Sequence, residues 1–392
     1  MTGSKSPLRF VSPLVRELPK SGIRKFFDIV AGRKDVISLG IGEPDFTTPW
    51  HIREAAIASL EEGWTHYTAN LGMPKLRTAI AEYMRKSFHA EYDGMTEVLV
   101  TVGVSEAFDA ALRAIVAPGD EVIYHEPCFV SYAPVIRLAG GVPVPVGTFR
   151  KDEFRVTVDR LEAAVTPKTK ALILNFPNNP TGATLRREDV DAITEFVLRH
   201  DLVLISDEVY SELTYEGERC TFAGIPALRD NLVFLNGFSK AWAMTGFRLG
   251  YVCAPAPVTD AIMKVHQYGI MSATTVSQAA GIEAVANGDD DILAMRNEYH
   301  RRRNFIVASL NEMGLDCFMP KGAFYVFPSI QSTGLTSEEF AFRLLDEKAV
   351  ACVPGTAFGT CGEGFLRCSY ATSMPQLKEA MTRMREFVKA RT

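Results

Sequence analysis

Apolar positions along the chain fall into two alternating patterns. Short unbroken runs read as buried strands, and longer stretches repeat with helix period. The runs are Val98-Leu-Val-Thr-Val102, Asp120-Glu-Val-Ile-Tyr124, Lys170-Ala-Leu-Ile-Leu174, Leu202-Val-Leu-Ile-Ser206, Asn231-Leu-Val-Phe-Leu235 and Tyr251-Val-Cys-Ala254. A further strand is expected to lead into Gly40, and another over Gly322–Phe327. Helix period is read over Ser21–Val30, Asp260 to about Asn287, Ile292–Met313 and Phe340–Lys348. Alternation of this kind predicts an α/β protein.

Most of these runs end in small or polar residues that could carry chemistry. Asn231–Leu235 leads into Asn236-Gly-Phe-Ser-Lys240, and Arg248-Leu-Gly250 follows. A lysine set by a strand into a small-residue turn can attack a carbonyl if burial or nearby cations lower its pKa. An arginine held beside it could grip a phosphate. Leu202–Ser206 ends in Asp207-Glu-Val-Tyr210, and Lys170–Leu174 in Asn175-Phe-Pro-Asn-Asn179-Pro-Thr-Gly182. Ligands of open α/β sheets bind outside the carboxyl ends of the strands, which is where these residues fall. Val98–Val102 passes through Gly103 into a helix that starts at Val104 and Ser105, a turn able to hold a phosphate on its N–H groups. It is neither a Walker loop nor a Gly-x-Gly-x-x-Gly fingerprint. Arg367 lies in a strand-like run, where its planar fork could take a carboxylate.

Composition narrows the field. The 392 residues are 47% hydrophobic and 23% charged, with a formal net charge of -5, so neither nucleic acid nor an anionic membrane is favoured as a partner. The arginines of His300-Arg-Arg-Arg303 read as a solvated helix face. Seven cysteines without a Cys-x-x-Cys pattern suit reduced thiols in a cytoplasmic protein, and seven dispersed histidines point to no metal site. No signal-peptide core and no membrane-length apolar run is present.

Read together, Gly237, Ser239, Lys240, Arg248, Leu249 and Gly250 resemble the lysine signature of the class I pyridoxal-phosphate aminotransferases. Leu39-Gly-Ile-Gly42-Glu-Pro-Asp-Phe46 and Arg367-Cys-Ser-Tyr-Ala371 resemble two further segments of that family, in the family's order. The resemblance implies fold type I: a large domain with a mostly parallel seven-stranded sheet plus a smaller α/β domain. It divides the chain into an N-terminal arm and part of the small domain (1–47), the cofactor domain (48–288) and the C-terminal small domain (289–392).

The same resemblance implies roles. Lys240 would carry pyridoxal phosphate covalently and, once freed by substrate, move the α-proton as base and acid. Asp207 would pair with the ring nitrogen, Tyr210 and Asn179 would face the ring oxygen, and Phe129 would stack on the ring. Val104, Ser105, Ser239 and Arg248 would hold the phosphate, with Tyr67 reaching it from the other subunit of a homodimer. Gly42 and Arg367 would bind the substrate carboxylate, and Asn179 would also hydrogen-bond the substrate. Gly237 stands where some relatives place a phosphate-binding serine, which shifts that burden to the other groups. The reaction implied moves an amino group from an aromatic amino acid, aspartate or a related donor to a 2-oxo acid, with 2-oxoglutarate expected. An N-acetyl-LL-diaminopimelate aminotransferase, or a C–S β-lyase, would share these residues. Arg16, Arg24 or Lys25 could meet a side-chain carboxylate, whereas Phe26 and Phe129 could line an aromatic pocket; spacing does not choose between them.

Overall fold

Seven of the strands meet in one sheet. In chain order the strands are β1 (Ile37–Ser38), β2 (Val98–Thr101), β3 (Glu121–Glu126), β4 (Val142–Gly147), β5 (Thr169–Asn175), β6 (Val203–Asp207), β7 (Leu232–Gly237), β8 (Gly250–Cys253), β9 (Tyr325–Val326), β10 (Val350–Ala351), β11 (Val353–Pro354) and β12 (Leu366–Ser369). The structure, a computed structural model, describes residues 6–19, 33 and 35–391. The Ser21–Val30 helix and the side chains of Arg24, Lys25 and Phe26 lie outside the described residues.

The large sheet runs β2-β8-β7-β6-β5-β3-β4. All neighbours from β7 to β4 pair in parallel, and β8 alone runs against both of its neighbours. Both faces are covered, as a parallel sheet requires. Leu172, Leu174, Leu204 and Phe234 pack into one apolar cluster, while Ile173, Ile205, Val233 and Leu235 pack into another. This alternation is why the runs read as continuous apolar stretches. β4, Val-Pro-Val-Pro-Val-Gly, pairs only with β3; its two prolines cannot donate to a ladder and so suit an edge. A smaller α/β unit carries β11-β12-β9, an antiparallel sheet, and the parallel pair β1–β10, over a third apolar cluster. The Thr336/Glu339 capping box starts its Ser337–Lys348 helix, with each side chain meeting the other's backbone N–H.

Several expectations are corrected here. Lys240 sits in a short helix, Phe238–Ala241, rather than in an open turn. The Asp260–Asn287 stretch is two helices, Ala256–Gly269 and Thr275–Asn287. The Gly322–Phe327 run forms a strand only at Tyr325–Val326. The His300–Arg303 face is not simply solvated, because Arg302 and Arg303 are 5% and 1% exposed. Arg302 Nη1 reaches Asp45 Oδ1 at 2.8 Å and its Nε reaches Glu298 Oε1 at 2.8 Å. Arg303 Nη1 donates to the Pro320 carbonyl at 3.0 Å, and Nη2 meets Glu216. Asp45 and Glu216, on other segments, compensate these charges together with Glu298 one turn back on the same helix, and the two distant pairings are ones that charge pattern on one helix cannot reveal.

Candidate active site

The C-terminal ends of the parallel strands open onto a cavity of about 560 Å³. β5 delivers Asn175, β6 delivers Asp207 and β7 leads into Lys240. Because β8 runs the other way, its start at Gly250 brings Arg248 to the same edge. Gly42, Val104, Ser105, Phe129, Asn179, Asp207, Tyr210, Ser239, Lys240, Arg248 and Arg367 all line the cavity. Tyr67 does not; it is 82% exposed on the surface.

Lys240 Nζ donates to the Gly42 carbonyl at 2.7 Å. Desolvation pulls its pKa down to about 8, with Arg367 and Arg248 adding to the effect and Glu43 and Asp207 opposing it. Such a lysine is far nearer its neutral, nucleophilic form at physiological pH than a surface lysine.

Asp207 accepts from Tyr132 Oη at 2.7 Å and from the Val209 N–H at 3.3 Å. Burial pushes its pKa up to about 6, against those hydrogen bonds and the nearby Lys240. A buried acid with one hydroxyl donor is ready to receive a cation in the cavity. Asn175 Nδ2 donates to the Asp207 carbonyl at 2.9 Å, and Asn175 Oδ1 accepts from Asn179 N at 3.1 Å, which ties the two strand ends together.

Arg367 Nη1 donates to Asn179 Oδ1 at 3.0 Å and Nη2 to the Gly40 carbonyl at 2.6 Å. The guanidinium lies 4.7 Å from the Tyr325 ring centroid and 4.8 Å from that of Phe358. Flat faces hold the fork in its plane. Its buried Nε has no partner among the described residues. Tyr210 Oη meets Tyr325 Oη at 2.9 Å.

Sequence reading missed Tyr132, Tyr325 and Phe358. Nothing local marks Tyr132: its acceptor, Asp207, is 75 residues away in the chain. Tyr325 reaches Tyr210 across 115 residues.

These residues fit pyridoxal phosphate. The Gly103–Ile115 helix points its first N–H groups at the cavity edge, where Ser105, Ser239 and Arg248 gather. Gly103 has φ of +75°, and a Cβ there would stand 2.7 Å from Arg248 Nη2, so the guanidinium packs on bare backbone. An anion fits that cradle, a carbonyl fits Lys240, and a protonated ring nitrogen fits Asp207. Among the described residues no group of His, Cys, Asp and Glu could hold a metal ion.

A lysine, an acid and an anion cradle gathered at the carboxyl edge of such a sheet define an enzyme that works on a carbonyl cofactor. The aminotransferase class I and II family matches residues 34–384, and the chain belongs to it. The aspartate aminotransferase of Pyrococcus abyssi (strain GE5 / Orsay) is 48% identical, over 94% of this chain and 96% of that protein. Aromatic-amino-acid aminotransferase 2 of Thermococcus litoralis (strain ATCC 51850 / DSM 5473 / JCM 8560 / NS-C) is 45% identical, over 94% of this chain and 96% of it. The crystal structure of the aromatic aminotransferase from Pyrococcus horikoshii OT3 superposes with a TM-score of 0.90 at 47% identity, covering 94% of this chain and 99% of that one. The protein is therefore a pyridoxal-phosphate-dependent aminotransferase acting on amino and 2-oxo acids.

Proposed function

We propose that Lys240, Asp207, Asn179 and Arg367 form the working centre of this aminotransferase, with an aromatic amino acid, aspartate or a related donor, and 2-oxoglutarate as acceptor. One observation carries the reading. Lys240 and Arg367 donate to carbonyls of the same short segment, Gly42 and Gly40, at 2.7 Å and 2.6 Å. A substrate α-carboxylate gripped by Arg367 thus has its α-carbon near the amine that must take its proton.

Bound pyridoxal phosphate supplies the electron sink that stabilises charge at the substrate α-carbon. The protein supplies position and proton movement. Lys240 is the attachment point, and its Nζ, once free, accepts the substrate α-proton and later returns it. Asp207 offers a carboxylate to the ring nitrogen, oriented by Tyr132. Tyr210 and Asn179 offer donors to the ring oxygen, and Phe129 a flat face. Val104, Ser105, Ser239 and Arg248 take the phosphate. Arg367 and the Gly42 backbone orient the substrate carboxylate, with Tyr325 and Phe358 keeping the guanidinium in plane.

We infer further that the enzyme is a cytoplasmic homodimer in which Tyr67 of each copy serves the other copy's phosphate site. Its 82% exposure, outside the cavity, supports this. The division at 1–47, 48–288 and 289–392 completes the proposal.

The test is a half-reaction screen. The holoenzyme is mixed with single amino acids, and loss of the visible absorbance of the lysine-linked cofactor is followed. Rapid loss with Phe or Tyr assigns an aromatic pocket. Rapid loss with Asp or Glu alone assigns a cationic side-chain site. Lys240→Ala removes that absorbance altogether; an unchanged band in the variant would overturn the assignment. Pyruvate and ammonia released from a cysteine conjugate would favour the lyase reaction.

A further inference from the structure

Glu208 follows Asp207 directly, and no step above uses it. It is 2% exposed. Its Oε1 accepts from Ser206 Oγ at 3.0 Å and from the Phe222 N–H at 3.1 Å. Its Oε2 accepts from Ser211 Oγ at 3.0 Å. The Thr221 hydroxyl also bonds it, so these partners are all neutral donors. Burial pushes its pKa up to about 7 against these bonds. A carboxyl group held out of water with neutral partners is a costly way to fill a core site, since an apolar side chain of similar volume commonly does as well or better.

What its placement achieves is local. Ser206 precedes Asp207 and Ser211 follows Tyr210. The two oxygens of one carboxyl group therefore tie both ends of the segment 206–211. The Glu208 N–H anchors that segment to β7 through the Leu235 carbonyl at 2.9 Å, and Ser211 N returns to the Glu208 carbonyl at 2.9 Å. The segment's other polar side chains, Asp207 and Tyr210, both line the cavity. Its shape decides how the acid and the phenol stand relative to each other.

We propose that Glu208 is a positioning residue for the transamination. Its carboxyl group closes the Ser206–Ser211 turn and thereby sets the Asp207 carboxylate and the Tyr210 hydroxyl against the cofactor ring. The inference rests on the roles given to Asp207 and Tyr210 above.

Three variants test it. Ser211→Ala releases one end of the turn and leaves the acid in place. Glu208→Ala releases both. Glu208→Gln keeps an acceptor for Phe222 N, and the serine hydroxyls can turn to accept from the amide. In Ser211→Ala, kcat is expected to fall about tenfold while KM for the amino acid changes less than about twofold, the split of an interaction that matters in the transition state. The visible absorbance maximum of its linked cofactor is expected to shift, and fluorescence titration of the cofactor-free protein should show weaker pyridoxal phosphate binding. Glu208→Gln should restore all three towards wild type.

A purely structural acid would lower the melting temperature and leave kcat, spectrum and cofactor affinity of the folded protein unchanged. That result in Ser211→Ala overturns the proposal even if Glu208→Ala does not fold. Failure of the underlying site assignment is read separately, from Lys240→Ala retaining the linked-cofactor absorbance.

Discussion

At the scale of single residues, the centre carries charges that the fold itself would rather not hold. Lys240 is drawn from 10.5 down to about 8, which measures what its charge costs in the cavity. Its folded pKa lies below the unfolded one, so the cost is full below about pH 8 and disappears as pH rises towards 10.5. Lys240→Met in the cofactor-free protein should therefore raise stability at pH 7 by about 2 kcal/mol, after discounting for the partly exposed side chain. The gain should shrink as pH rises from 8 and be largely gone above about pH 10.5, and chemical denaturation at pH 7 and at the high-pH end checks both signs. A variant no more stable than wild type at pH 7 would mean that the lysine's contacts outweigh its desolvation. That Lys240, Asp207, Asn179 and Arg367 would share one cavity was legible in sequence because each ends or follows an apolar run and sits in an extended motif. Tyr132, Tyr325 and Phe358 were not, because an aromatic in the core and an aromatic steadying a charged group look alike until the partner is known.

At the scale of elements, the anion cradle depends on close approach between the start of the Gly103–Ile115 helix and Arg248. Gly103 at φ +75° both permits the turn and leaves room for the guanidinium. Gly103→Ala places a Cβ 2.7 Å from Arg248 Nη2 in a backbone region that favours glycine. Cofactor affinity is expected to fall at least about tenfold, with a loss of stability on the order of 1 kcal/mol from the strained φ. Equilibrium dialysis against pyridoxal phosphate and thermal unfolding measure the two effects separately; unchanged affinity would show that the arginine has another place to go. The strands were readable because burial on both faces makes their runs wholly apolar. β4 was not, because Pro143 and Pro145 argue against a strand unless it is known to lie at an edge.

At the scale of the molecule, the cavity is built from distant segments: Gly40–Gly42 beside β1, the edge of the large sheet, and Arg367 on β12. Cofactor bound only by the folded arrangement stabilises it by mass action, about 2.7 kcal/mol at a hundredfold excess over its dissociation constant. Removal of pyridoxal phosphate should lower the melting temperature by several degrees, and re-addition should restore it in proportion to the logarithm of its concentration. A melting temperature indifferent to cofactor would mean that binding does not draw these segments together. Arg302, held by Asp45 and Glu298, fastens the segment after Gly42 to the long Asp289–Glu312 helix. No local pattern distinguishes that buried tie from a solvated charge.

The sequence by itself determined the alternation of strands and helices, the class of reaction and the motif residues that meet in the cavity. Those depend on local runs and on motifs whose spacing is written along the chain. Only the tertiary structure decided which aromatics steady the charged groups, which arginines are buried, and how Glu208 ties the turn that carries Asp207. Such contacts join residues far apart in sequence, or turn side chains of neighbours to opposite sides, and burial that sets their energetics exists only once the chain has closed on itself.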